Sequence, residues 1–254
     1  MIPWWAKLYG KMVLARIPAS YQAWTKLPIF RHGAMKNVDY AARVFERHLA
    51  NAPKPISGNC LEVGPGDSLF TAINAAAAGF DGAYMVDAGA FASRDLDAFK
   101  QVAAARGLDA ARIAGWASLD AALSDLGGIY LTDGLASLRT MPDQSVSFIF
   151  SQAVLEHVRK HEYEDFIAET FRVLKPGGVA SHRIDLKDHL QAGLNNLRFT
   201  ERAWESPFFV RSGFYTNRLT LDDHVAAFDK AGFVLDTVKP DHFAKMPIAR
   251  SSLA

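Results

Sequence analysis

The stretch Asn59–Ser68, NCLEVGPGDS, constrains this chain more than any other. Cys60-Leu61-Glu62-Val63 is a short apolar run with a single acid, the pattern of a strand buried on both faces. Gly64-Pro65-Gly66 breaks the run, and Asp67 with Ser68 supplies N-cap chemistry for a helix from Leu69 to Ala78. Strand, glycine turn and helix start together present backbone N–H groups and the positive end of a helix dipole, which suits a carboxylate or phosphate on a nucleotide-like ligand. Glycines let such a ligand come close to the backbone. Taken alone, the turn is also what any tight strand-to-helix connection needs. The dinucleotide fingerprint G-x-G-x-x-G requires glycine at position 69, where this chain has Leu69, and that counts against NAD or FAD. Asp87 ends the next apolar run, Ala83-Tyr84-Met85-Val86, 21 residues after Gly66. A doubly wound fold places there the acid that grips a ribose diol. The alternative for Asp87 is a cap for the turn at Ala88-Gly89, and its pairing with the glycine loop favours the ribose.

Composition closes off several function classes. A chain of 254 residues can bury one generous core, as a single α/β domain with decorations. The net charge of +1 and the lack of a basic block with interleaved aromatics give no support for a nucleic-acid partner. The single cysteine, Cys60, falls in the predicted core strand, so a reducing cytoplasm is expected and a disulfide framework is not. No apolar run reaches the roughly 18 residues of a membrane span, and Met1–Ile17 lacks the basic and apolar regions of a signal peptide.

Ahead of the first strand, Trp4, Trp5, Leu8, Tyr9, Met12 and Val13 recur at helical spacing with Lys7, Lys11 and Arg16 among them. Residues 1–17 read either as an amphipathic helix on a membrane surface or as a helix packed on the domain or on a second subunit of a homodimer. The packed reading is preferred, because aromatic stripes usually lie in cores or interfaces. A second helix is expected over Val38–Ala50, ended by Pro53-Lys54-Pro55, so residues 1–56 form a helical extension and 57–254 the main domain. From Cys60 onward strands and helices alternate. Helices are expected at Ser93–Arg106 (capped by Ser93), Leu119–Leu126, Tyr163–Leu174 and Leu221–Ala231. Strands are expected at Ala83–Val86, Ile129–Leu131, Val146–Phe150, Val179–Ile184 and Phe233–Val238. Such alternation implies a doubly wound, mostly parallel sheet flanked by helices, with right-handed crossovers. A polar and aromatic insertion at about 185–218 interrupts the pattern.

The order LEVGPGDS, VDA at the second strand end, SFIFSQAVLEHV and ETFRVLKPGG resembles the class I S-adenosylmethionine-dependent methyltransferases, nearest to the bacterial small-molecule group called type 11. The likeness runs from about Asn59 to Pro240, and its last two phrases are the specific ones. Two positions depart from the family pattern: Ser68 stands where a third glycine is usual, and Ser147 where the strand-four phrase often has Asp. The resemblance implies S-adenosylmethionine as cofactor and a cytoplasmic enzyme that methylates a small molecule. It implies that Glu62, Gly64, Pro65, Gly66, Asp67 and Ser68 shape the methionine end and that Asp87 takes the ribose hydroxyls. Asp133 with Gly134 would border the adenine, and Ser151 with Gln152 would look onto the methyl group.

The acceptor is less legible. An oxygen nucleophile of high pKa needs a base, and the candidates are His157, His182 and Asp185, with His189 and Asp188 in the same stretch. Similar quinone O-methyltransferases carry Glu-x-x-Glu-His as a metal site; here Ala153 replaces the first glutamate before Glu156-His157, so no metal is expected. Phe199, Trp204, Phe208, Phe209, Phe214 and Tyr215, interspersed with Arg198, Arg202, Arg211 and Arg218, suit a lid over a sugar, phenol or lipid-linked acceptor and equally a dimer interface. Two other classes remain: a nicotinamide-dependent oxidoreductase and a non-catalytic protein that binds S-adenosylmethionine.

Overall fold

The computed structural model describes residues 3–14, 35–190 and 193–254. These fall into two compact units: a sheet unit within His32–Val154 and Asp165–Ile184, and a helical unit drawn from Met1–Arg31, Leu155–Glu164 and Asp185–Ala254.

The sheet unit opens with α2 (Val38–Leu49), the helical unit's α1 being Trp4–Leu14. There follow β1 (Asn59–Val63), α3 (Phe70–Ala78), β2 (Gly82–Val86), α4 (Leu96–Ala105), α5 (Ala110–Ala114), α6 (Leu119–Asp125), β3 (Gly128–Leu131), α7 (Leu135–Thr140) and β4 (Val146–Gln152). The chain returns through α8 (Tyr163–Val173) into β5 (Leu174–Arg183). The five strands pair in parallel in the order β3-β2-β1-β4-β5, the doubly wound arrangement expected. Strand order reverses between β1 and β4, and in such sheets ligands bind beyond the strand carboxyl ends at that point.

The period of two along the strands decides what each face meets. Cys60, Ala83, Phe148 and Phe150 point to one face, where Phe45 of α2 and Phe80 pack on them. Leu61, Val63 and Ile149 point to the other and are also buried, which is why β1 reads as apolar on both faces with one acid, Glu62. Met85 joins Ile73 of α3, Phe99 of α4, Trp116 and Leu123 of α6 in the largest apolar cluster.

Several local expectations are corrected. Asp67 and Ser68 do not cap α3: Leu69 holds the N-cap position without a side-chain hydrogen bond. Asp67 Oδ1 instead accepts from Lys36 N at 2.9 Å, and Ser68 Oγ is buried without a partner. Asp95, not Ser93, caps α4, accepting from Ala98 N at 3.0 Å. Lys175-Pro176-Gly177-Gly178 does more than stop α8, since Leu174 already pairs with Val146 and the ladder resumes at Phe148 with Val179. Phe233–Val238 forms no strand: Val234 is 88% exposed, and the run has no ladder partner among the described residues.

In the helical unit, α9 (Glu201–Trp204), α10 (Pro207–Val210) and α11 (Leu221–Ala231) follow three single turns of 3-10 helix at Leu155–His157, Lys160–Glu162 and Asn195–Arg198. Its core is Leu8, Leu190, Trp204, Phe209, Phe214 and Tyr215. The insertion's aromatics are therefore mostly spent on the unit's own interior, and its Arg218 donates to Phe199 O at 2.7 Å and pairs with Glu201. On α1, Leu8 is buried and Trp4 packs edge-on against Phe199, whereas Trp5 and Tyr9 stay exposed. The first two and last three positions of the Met1–Ile17 stretch lie outside the described residues. Among the described residues no helix is long and apolar enough to cross a membrane.

Candidate active site

The loops that leave β1, β2 and β3 at their carboxyl ends are tied to one another through Asp87. Its N–H donates to Leu131 O at 2.9 Å, and its own carbonyl accepts from Gly134 N at 2.8 Å. Its carboxylate accepts from Gly66 N at 2.9 Å and from Ala88 N at 2.7 Å. The sequence offered Asp87 either a ligand or a local cap; the structure has it bridging the glycine loop and the loop after β3. Burial holds its carboxyl above the ordinary carboxylate range, against the pull of those two amides.

The two turn glycines are there for different reasons. Both take positive φ, +73° at Gly64 and +67° at Gly66. A Cβ on Gly64 would come within 2.4 Å of Val154 Cγ2, so the position is closed by packing. A Cβ on Gly66 would meet nothing within 4 Å, so the space over that residue is open. Glu62 sits beneath the turn, buried in β1. Its carboxylate accepts a 2.5 Å hydrogen bond from Thr71 Oγ1, and burial pushes its pKa up to about 8. Asp133 N donates to Ser137 Oγ at 2.9 Å, which fixes the start of α7 beside Gly134. Glu62, Gly64, Pro65, Gly66, Asp67, Ser68, Asp87, Asp133 and Gly134 thus share one end of the sheet. A hollow lined by Arg94, Asp120, Ser124, Gly127, Ile129 and Tyr130 runs along the edge strand β3 and gathers none of them.

At the ends of β4 and β5, pleat alternation sorts the remaining candidates. Ser151 and His182 are register partners, and Ser151 Oγ stands 2.8 Å from His182 Nδ1. On the other face, Ser181 Oγ lies 2.8 Å from His48 Nδ1 and accepts from Asn51 Nδ2 at 3.1 Å. His48, with the Gln152 carboxamide near it, is buried on α2, and desolvation lowers its pKa to about 4. The sequence reading passed over His48; its heptad-like place among Ala41, Val44 and Phe45 on the buried face of α2 was the available signal. Ala153, just past β4, takes φ +53°, rare for a non-glycine residue.

His157 and Asp185 belong to the helical unit. His157 Nδ1 lies 2.9 Å from Tyr215 O, and its ring centroid is 4.8 Å from that of His189. Asp185 Oδ1 accepts from Lys187 N at 3.1 Å in a local turn. Glu156 is fully buried with neither carboxylate oxygen hydrogen-bonded, and burial raises its pKa to about 8.

Residues 61–181 match the family model described as a methyltransferase domain. Comparison with curated proteins gave no match. Among solved structures, the chain is similar to a phosphoethanolamine N-methyltransferase 2 of Haemonchus contortus bound to phosphomonomethylethanolamine and S-adenosylhomocysteine (17% identity, 77% of this chain and 37% of that one, TM-score 0.47). It is also similar to an S-adenosylmethionine-dependent methyltransferase of Mesorhizobium loti (16% identity, 80% and 85%, TM-score 0.48). A third is a methyltransferase of Haloferax volcanii in complex with the Trm112 activator (16% identity, 85% and 77%, TM-score 0.48). The chain spans little more than a third of the Haemonchus enzyme's length, 37% of it. Residues 61–181, just under half of this chain, are thus similar to a methyltransferase domain, and they reach all five strands of the parallel sheet.

Proposed function

We propose that the protein transfers the methyl group of S-adenosylmethionine to an oxygen of a small-molecule acceptor, a sugar, a phenol or a lipid-linked precursor. The observation that carries this reading is the junction of Gly66, Asp87 and Gly134, three loops gathered by one residue at the carboxyl ends of β1–β3, Gly66 through the Asp87 carboxylate and Gly134 through the Asp87 backbone carbonyl. The residues present fit the cofactor: the space over Gly66 is open, and Asp87 offers a buried carboxylate beside it. When bound, the cofactor supplies an electrophilic methyl carbon on a sulfonium. Asp87 would accept from the ribose hydroxyls, and the amides of the Gly64–Ser68 turn would hold the amino-acid end, with Glu62 beneath it. Asp133 and Gly134 would border the base, and Ser151 and Gln152 would flank the methyl carbon.

Methyl displacement runs in line, so alignment of the acceptor oxygen and exclusion of water supply most of the acceleration. A hydroxyl acceptor must lose its proton. The Ser151–His182 contact supports His182 as the group that takes it, ahead of His157 and Asp185, because it holds the ring at the strand end. The fully buried Cys60 thiol supports a reducing, cytoplasmic setting, and the exposed Trp5 and Tyr9 of α1 are the face offered to a membrane surface. Calorimetry with S-adenosylmethionine, S-adenosylhomocysteine and NADH tests the cofactor: the first two are expected to bind and the third not. Acceptors are then found by the appearance of S-adenosylhomocysteine. Failure of both sulfur compounds to bind would overturn the reading.

A further inference from the structure

We propose that Glu156, His157 and His189 form a binding site for one divalent transition-metal cation. The proposal goes beyond the methyl-transfer reading and does not rest on it. All three residues lie in the helical unit, and their ligating atoms fall within 4.8 Å of one another. Ligands on one tetrahedral ion with bonds of about 2.0–2.2 Å stand ~3.3–3.6 Å apart, so the cluster closes by at most ~1.5 Å, within the reach of side-chain rotation.

The donor set has the chemistry of a metal site in each of its parts. Glu156 is 1% exposed, and neither of its oxygens makes a hydrogen bond. The amides of Glu156 and Asp185 are close enough to favour its charge slightly but satisfy neither oxygen. An unpartnered buried carboxylate is costly, and a cation against it removes that cost. His157 Nδ1 faces the Tyr215 carbonyl, which can only accept, so Nδ1 carries the hydrogen and Nε2 the lone pair. Metal-binding histidines are commonly oriented in this way, by donating the other ring nitrogen to a carbonyl. His189 brings a second imidazole, and both rings are exposed while the carboxylate forms the floor, so an ion can enter from solvent.

The scaffold around the three is fixed. Asn217 is buried, donates through Nδ2 to Leu155 O at 2.8 Å and to Val158 O at 3.1 Å, and through its N–H to Glu156 O at 2.7 Å. These bonds clamp the turn that carries Glu156 and His157. On the other side, Asp188 Oδ1 accepts from Leu190 N at 3.1 Å and Gly193 N at 3.2 Å, holding the loop that presents His189. Two imidazoles and one carboxylate leave coordination positions for water or an oxygen ligand and favour a borderline ion such as Zn²⁺ over all-oxygen Mg²⁺. A Glu-x-x-Glu-His motif would take a ligand from position 153, which is Ala153 here, whereas the third ligand of the proposed site is His189, 32 residues after His157.

Chelator-treated, dialysed full-length protein would be titrated with Zn²⁺ and with Mg²⁺ by calorimetry, and loaded with Co²⁺ for visible absorption. One Zn²⁺ per chain is expected, with Co²⁺ bands in the visible and little response to Mg²⁺. His189→Ala sits on an exposed position and should fold; it is expected to weaken Zn²⁺ by more than the ~10–100-fold typical of outer-shell partners. Glu156→Gln should do the same, with circular dichroism checking its fold, and His161→Ala, an exposed histidine outside the cluster, should leave affinity unchanged. Zn²⁺ binding unaffected by His189→Ala, absence of stoichiometric Zn²⁺ binding to the parent, or a preference for Mg²⁺ would each overturn the proposal.

Discussion

Glu62 and Glu156 are both buried, and burial pushes both carboxyls up to about 8, yet the two live in different chemistry. Glu62 accepts from Thr71, nine residues on, and stands in the strand that opens the phrase Asn59–Ser68. Glu156 has no hydrogen-bond partner on either oxygen, and what faces it comes from a loop far along the chain. The sheet unit builds its site from backbone amides and glycine turns, and the helical unit builds its site from side chains. A buried acid is stabilised by a donor or by a cation. Where a hydroxyl donor is present the acid reads as architecture, and where none is present it points to something that binds.

The largest effect should come from closing the backbone-built site. Gly64→Ala forces a β-carbon into Val154 and a left-handed φ on a non-glycine residue. Overpacking at ~1–3 kcal/mol and strain at ~1 kcal/mol add to a loss of ~2–4 kcal/mol, measurable by chemical denaturation. Adding Val154→Ala should recover the packing part and leave the strain. If the single variant is as stable as the parent, the turn is looser than the contact distance implies.

Next is Asp87→Ala, read on ligand rather than on stability. Hydrogen bonds to a charged acceptor are worth ~1.5–3 kcal/mol, so affinity for S-adenosylmethionine should fall ~10–100-fold by calorimetry. Asp87→Asn should keep the bonds to Gly66 and Ala88 in part and lose less. Unchanged affinity in both variants would make Asp87 a loop tie alone and remove the contrast between the two sites.

How much of this was legible follows from sequence separation. Strand and helix order, the parallel sheet and the Leu221–Ala231 helix could be read because each is set by local periodicity and by capping residues such as Thr220 and Asp223. Asp67 misled because a capping residue can be drawn elsewhere, here to Lys36 N, and nothing local says so. Phe233–Val238 misled because alternation predicts a strand only if a neighbour is there to pair. The glycine end of the site was visible as a phrase, but the partners of His182, His48 and Glu156 were not. Ser151 reaches His182 through strand register, and Ser181 reaches His48 from across the sheet unit. Such contacts are made by folding and leave no spacing behind.

Two buried titrating groups of the sheet unit, Glu62 and His48, predict a pH profile of known sign between pH 4 and 8. Glu62 titrates at about 8 in the fold against an ordinary 4.5, so between those values the folded chain holds a proton that the unfolded chain has lost. That contribution is complete below about 4.5 and declines as pH rises to about 8. His48, lowered from 6.5 to about 4, acts in reverse: stability is gained as pH rises from 4 to 6.5. Below 6.5 the two oppose each other; above it the Glu62 slope is no longer offset by His48, and that one group contributes at most ~1.4 kcal/mol per pH unit. Glu156 adds a slope of the same sign, so Glu62→Gln should reduce the loss of stability between pH 6.5 and 8 without abolishing it. A variant with the parent's slope over that range would show that Glu62 is ionised in the fold.

The smallest effect on stability belongs to Gly66→Ala, and it is the most informative about what the turn is for. Its β-carbon meets nothing within 4 Å, so only the positive φ opposes it, at ~1 kcal/mol in denaturation. If Gly66 were merely a turn residue, cofactor affinity would change little, because the folded loop tolerates the methyl group. If the glycine exists so that a ligand can lie against the backbone, the same methyl group occupies the contact surface, and affinity should fall further than the stability loss accounts for. Gly66→Val enlarges that obstruction and should widen the gap between the two measurements. Equal and small changes in both would return the glycine to turn geometry and leave Asp87 as the sole side chain arguing for a ligand at this end of the sheet.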